Sequence, residues 1–223
     1  MFREPTSYGV VTRPIRDRVT AMSDDYLSHP ASSPWHDGVP IGERLSAQPL
    51  VDHPMVAFEE LTMAPLEPML VPEEPRHGEL DPSECGHCTP GEWGWLWRDA
   101  HWHVSGYRDT ALPFWGGLAP NEHVLLHEMS PALLVTMGDV VQRFAGAIKG
   151  LPGVGRTHFA RWGDGSAHFH MQFYARPLGM MQARGFMLAV WDDVLPKADP
   201  ELVAANHRQV AEAMAAGGGE LLV

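Results

Sequence analysis

Basic runs and long apolar runs are what this 223-residue chain lacks, and cysteine is scarce in it. Its 16 lysines and arginines are scattered among 28 acidic residues, and the formal net charge is −12. Duplex nucleic acid and anionic membrane surfaces hold proteins through clustered cations, so neither is an expected partner. A small anionic ligand survives that exclusion, because a few backbone amides and imidazoles hold one phosphate without a basic surface. No apolar run approaches the ~20 residues of a membrane-spanning helix, and Met1-Phe2-Arg3-Glu4-Pro5 is polar. A soluble, cytoplasmic protein is expected. Only two cysteines occur, Cys85 and Cys88. Structural disulfides rarely use that spacing, whereas metal sites use it constantly. What remains is 44% hydrophobic, enough for one domain core and an extension.

Residues 1–84 are dense in Pro, Ser, Asp and Glu, with runs such as Pro65-Leu66-Glu67-Pro68 and Val71-Pro72-Glu73-Glu74-Pro75. They read as an irregular N-terminal arm preceding a domain over 85–223. Val51, Met55, Val56, Phe58, Leu61, Met63 and Leu70 are too apolar for a free tail, so part of the arm is expected to lie as short strands against the domain or a second subunit. Beyond it, residues 93–97 and 101–105 alternate aromatic and polar residues around a polar turn, the pattern of a β-hairpin. Further strands are expected at 115–119, 156–162, 168–175 and 185–191. One helix opens at Ser130-Pro131 and carries Leu133, Met137, Val140, Val141, Phe144 and Ile148 on one stripe, stopping at Gly150. Another opens at Asp199-Pro200 and ends before Gly217. Strands and two main helices in this order imply an α+β fold on an antiparallel sheet.

The chemistry is concentrated in three places. In His168-Phe169-His170-Met171-Gln172 the polar side chains recur at the period of a strand and face one side. Upstream stand Cys85-Gly86-His87-Cys88 and Pro120-Asn121-Glu122-His123. In order and spacing, from Cys85 to Pro177, these resemble the histidine-triad superfamily. The closest branch is the one typified by galactose-1-phosphate uridylyltransferase, which carries a glutamine where hydrolases carry a third histidine.

That resemblance implies a structural zinc on Cys85, Cys88, His123 and His168, a donor set of two thiolates and two imidazoles that suits tetrahedral zinc. It implies a nucleophile at His170, whose imidazole attacks the α-phosphorus of a nucleotide to give a nucleotidyl-histidine, with Gln172 beside it. Zinc on His168 then stiffens the strand that presents the nucleophile. The Gly163-Asp164-Gly165-Ser166 turn is a candidate phosphate contact through Gly165 and Ser166, although an ordinary hairpin turn explains it equally. Where family members carry a longer Asn-Gly loop, this chain has Arg161-Trp162-Gly163. Cys-Gly-His-Cys is also the redox motif of disulfide isomerases, but Asp81-Pro82-Ser83-Glu84 before it and Thr89-Pro90-Gly91 after it suggest a loop in place of the helix that motif needs. His101, His103, His127, His158 and His207 have no such partners and are assigned to surface or packing roles.

The expected activity is nucleotidyl transfer or phosphoanhydride hydrolysis on a nucleotide or nucleotide sugar, in a homodimer. An amide at Gln172 donates a hydrogen bond but cannot protonate a leaving group, which favours phosphates and pyrophosphates over amines. A non-catalytic module that binds a nucleotide or a protein, and a scaffold recruited to specialised metabolism, remain the alternatives.

Overall fold

The computed structural model describes residues 40, 42–51, 58, 60–62, 64–65, 67–91 and 94–223. Met55, Val56, Met63, Trp93 and the opening segment lie outside them. Of the described residues, 40, 42–43 and 67–74 belong to one unit; the others form a second, which contains all the elements named below.

A six-stranded antiparallel sheet forms this second unit's frame. Its strands are β1 (Trp95–Arg98), β2 (Trp102–Gly106), β3 (Trp115–Pro120), β4 (Val154–Ala160), β5 (Met171–Pro177) and β6 (Glu220–Leu221), arranged β4-β5-β3-β2-β1-β6. Besides the one-turn helix α1 (Gln48–Val51), helices α2 (Pro131–Lys149), α3 (Met187–Val194) and α4 (Pro200–Ala216) are present. The α+β antiparallel architecture is the one expected.

Helix α2 starts where Ser130 accepts from the Leu133 amide, with Pro131 at the first helical position, where its missing N–H costs nothing. Helix α4 repeats the device with Asp199 and Pro200. Both helices lie on one face of the sheet. Their Leu133, Val140, Phe144, Ile148, Val210 and Met214 bury against Trp97, Val104, Leu118, Phe169, Met171, Phe173 and Ala175. Each such side chain contributes roughly 1.5–3 kcal/mol on burial. The period-2 alternation therefore sends Phe169, Met171, Phe173 and Ala175 into this core and leaves His168, His170, Gln172 and Tyr174 for the opposite face.

Three boundaries depart from expectation. Residues 185–191, read as a strand, give the turn into α3 and most of that helix. Met187, Leu188 and Ala189 favour helix, and a short apolar run does not distinguish the two by period. The buried Asp192 carboxylate fixes α3 by accepting from Thr110 Oγ1 at 2.6 Å and the Ala111 amide at 2.7 Å. Strand β4 begins two residues earlier than expected. In the segment 168–175 the ladder begins only at Met171, while the Phe169 amide bonds the Val124 carbonyl at 2.8 Å. Strand β6, against β1, has no counterpart in the sequence reading.

Residues 75–91 belong to the sheet's unit. His77 forms an isolated parallel bridge with Ser166.

Candidate functional site

Two features meet where the 168–172 segment crosses the sheet: a corner of sulfur and imidazole ligands, and a cavity beside it.

The corner brings together Cys85, Cys88, His123 and His168, with their donor atoms all within 4.8 Å of one another. Cys85 follows a short 3-10 turn at Pro82–Glu84, and the Cys88 amide bonds back to the Cys85 carbonyl, so the two thiols sit in a tight loop. Among the described residues no helix follows this loop, which removes the N-terminal dipole a redox motif draws on. Cys85 Sγ is 3.4 Å from His168 Nδ1, and Cys88 Sγ is 3.3 Å from His123 Nδ1 and 3.5 Å from His168 Nδ1. A tetrahedral zinc with bonds near 2.0 and 2.3 Å would separate N and S ligands by about 3.6 Å. His168 Nε2 lies 2.9 Å from the Pro120 carbonyl oxygen, which only accepts, so the proton is on Nε2 and the Nδ1 lone pair faces the sulfurs. Burial pushes the Cys88 thiol up to about 11 and His168 down to about 4, the latter against the opposing Pro120 bond. A buried imidazole held neutral beside the raised Cys88 thiol is the environment a bound cation reverses. Gly78, at φ +74, packs on this corner; a Cβ there would stand 2.8 Å from Cys85 Cβ and 3.1 Å from His123 Cε1.

The cavity, about 400 Å³, is lined by His170, Gln172, His103, Ser105, Gly165 and Ser166, with His77, His87, Trp95 and residues 84, 86, 89–91 and 94 completing it. Its floor follows the strand pairing: Gln172 stands opposite Gly117, and Gly117 opposite Ser105. A Cβ on Gly117 would come within 3.0 Å of Ser105 Oγ. His170 Nδ1 lies 2.9 Å from the His168 carbonyl oxygen, so Nδ1 carries the proton and Nε2 the lone pair. Burial lowers the His170 pKa from its ordinary value, with Arg161 adding to the effect and the backbone bond opposing it. The Tyr174 hydroxyl donates to Gln172 Oε1, which leaves the amide nitrogen as the end available to the cavity.

Gly165 and Ser166, the candidate phosphate contacts, line the cavity, but the Ser166 hydroxyl is already engaged. It accepts from the His168 amide at 3.2 Å and lies 3.5 Å from the His77 carbonyl. Gly165 has open space where a Cβ would be. His101 and His127 are exposed, and His207 packs against Phe114, in keeping with surface and packing roles.

Two further histidines meet at the cavity, and one of them, His103, departs from the sequence reading. His87, carried by the cysteine loop, stacks on His170 with ring centroids 4.5 Å apart and planes 20° apart. Its pKa falls to about 3, through burial first and its histidine neighbours second. His103 is not mere packing: it lines the cavity, stacks on Trp95 at 4.5 Å and hydrogen-bonds Asn121. The alternation His101-Trp102-His103 already placed His103 opposite Trp102, and Trp102 is core. Among the described residues, no helix is long and apolar enough to cross a membrane.

No protein-family model matches the sequence, and no curated protein matches it. Solved structures that resemble the fold are described as histidine triad proteins. A zinc-bound histidine triad family protein from Mycobacterium smegmatis is 21% identical over 55% of this chain and 84% of its own, with a TM-score of 0.40. A histidine triad protein from Bradyrhizobium japonicum gives 17%, 54%, 89% and 0.45. A Hit-like protein from Bartonella henselae gives 14%, 53%, 84% and 0.39.

Proposed function

We propose that this chain is a nucleotidyltransferase or nucleotide phosphoanhydride hydrolase in which His170 forms a covalent nucleotidyl intermediate. The observation that carries this reading is the His170 ring itself. Its Nδ1–H is committed to the His168 carbonyl, which turns the other nitrogen into a fixed lone pair on the wall of a cavity large enough for a small phosphate ester. Nε2 attacks phosphorus, the bond from phosphorus to the bridging oxygen breaks, and the departing phosphate keeps the electron pair. The acceptor, water or a second phosphate, then takes the nucleotidyl group from Nε2 and frees the imidazole.

Gln172 offers an amide N–H₂ to a phosphoryl oxygen, its orientation set by Tyr174. It has no proton to give a leaving group, so phosphate and pyrophosphate leave more readily than amines. Cys85, Cys88, His123 and His168 would hold zinc, and their donor set and spacings suit it. Bound there, the metal would supply a crosslink between the cysteine loop, the segment after β3 and the strand bearing the nucleophile. His168 faces that corner while His170 faces the cavity, so of these two only His170 reaches the substrate. Incubation with nucleoside diphosphate sugars and dinucleoside polyphosphates, followed by acid-free quenching and mass spectrometry, should show a nucleotidyl mass on the peptide containing His170. An adduct on another residue, or none with any of these substrates, contradicts the proposal.

A further inference from the structure

His103 lines the same cavity as His170, and its ring proton is placed just as firmly. Asn121 Nδ2 lies 2.9 Å from the Asp99 carbonyl oxygen. A carbonyl only accepts, so that end of the amide is the N–H₂ and the other end, Oδ1, is an acceptor too. His103 Nδ1 is 3.2 Å from Oδ1 and must therefore carry the ring proton. The hairpin turn holds the relay still, because the Asp99 carboxylate accepts from the His101 and Trp102 amides and the Asn121 amide bonds the His101 carbonyl. Trp95 stacks on the His103 ring at 4.5 Å and fixes its plane. Nε2 is the ring's remaining polar atom, a lone pair that no described group bonds.

We propose that His103 is a specificity-determining acceptor, which takes a hydrogen bond at Nε2 from a hydroxyl or amino group of the ligand whose phosphate lies at His170. The inference rests on the nucleotide reading above and adds the ligand's polarity: acceptor oxygens toward Gln172, a donor toward His103. The His103 ring is buried, only 2% exposed, so its free nitrogen is shielded from bulk water. A ligand lacking the donor leaves a desolvated lone pair and loses affinity, about tenfold for one net hydrogen bond.

Two measurements on the full-length protein test it. Long-range ¹H–¹⁵N spectra of histidine-labelled protein, assigned with His103→Phe, should show the Nδ1–H tautomer for His103. In Asn121→Leu the same spectra should show a shift toward Nε2–H, the form imidazole prefers when nothing holds it. Calorimetry with AMP, which carries hydroxyl and amino donors, and with inorganic pyrophosphate, which carries none, should give about tenfold weaker AMP binding in both variants and unchanged pyrophosphate binding. An Nε2–H tautomer in the native protein overturns the inference whatever binds. So does an equal loss for AMP and pyrophosphate, or no loss for AMP in either variant. Failure of AMP to bind native protein whose His103 carries its proton on Nδ1 counts against the nucleotide reading and leaves the polarity of the wall supported.

Discussion

His168 and His170 stand two residues apart on one side of the sheet, and backbone carbonyls hold them through opposite ring nitrogens. His168 gives its Nε2 proton to Pro120 and turns Nδ1 to two sulfurs and His123; His170 gives its Nδ1 proton to His168 and turns Nε2 to the cavity. The chemistry of each follows from the tautomer its carbonyl imposes. One imidazole faces a closed set of ligands, a place for a cation. The other faces open space, a place for an electrophile. Strand alternation brings both to the same side, but it does not decide which does which.

The comparison breaks most visibly at His170. His170→Asn keeps the hydrogen bond to the His168 carbonyl through its amide and removes the proposed nucleophile. Turnover should fall by about 10⁴ or more, with the far-UV spectrum and unfolding midpoint unchanged. Equal loss of structure would mean that the ring is a packing element.

Cys85→Ser tests the other side. It should lower unfolding free energy by on the order of 5 kcal/mol, less than the ~10–16 kcal/mol that structural zinc supplies to peptides without a core of their own. Urea unfolding with and without a chelator measures it, and a variant as stable as the native protein would remove the crosslink from the account.

Gly78→Ala sharpens the contrast more finely, since it perturbs the corner and leaves the cavity's polar groups in place. A Cβ at φ +74 and 2.8 Å from Cys85 Cβ should cost about 2 kcal/mol and weaken metal retention. Competition with a chromophoric chelator reads the second effect directly.

The smallest expected effect comes from a histidine in neither group. Burial holds His207 at about 4, helped by Arg108, against 6.5 in the unfolded chain. Between those values the unfolded chain binds more protons, so the stability from keeping His207 neutral is complete above pH 6.5 and declines as pH falls toward 4. Of the fall in urea midpoint from pH 7 to pH 5, His207 should account for the equivalent of about 1 kcal/mol. His207→Asn should flatten that slope; an unchanged slope would assign the acid sensitivity elsewhere.

The elements that announce themselves locally were legible. Ser130-Pro131 and Asp199-Pro200 name their helix starts because the cap is a side-chain bond within three residues, and the hairpin of β1 and β2 follows from alternation across a polar turn. The four residues of the corner could be picked out together because the order of the cysteine pair, Pro120-Asn121-Glu122-His123 and the His168 strand resembles the histidine-triad pattern, and that resemblance implies the ligand set. What stayed hidden depends on distant partners. Helix α3 is held by Asp192 reaching Thr110, Gly78 matters only because Cys85 and His123 arrive beside it, and His87 meets His170 only once the cysteine loop has closed. His103 was read as packing because its meaning lies in Asn121 and Asp99, whose bonds exist only in the folded hairpin.

The division between the two histidines is tested most directly by metal content. Elemental analysis of purified native protein, His168→Asn and His170→Asn should give about one zinc per chain for the native protein and for His170→Asn, and a clear deficit for His168→Asn. Native protein without zinc, or a His170→Asn variant that loses zinc as His168→Asn does, would contradict the assignment of one imidazole to the metal and the other to the substrate.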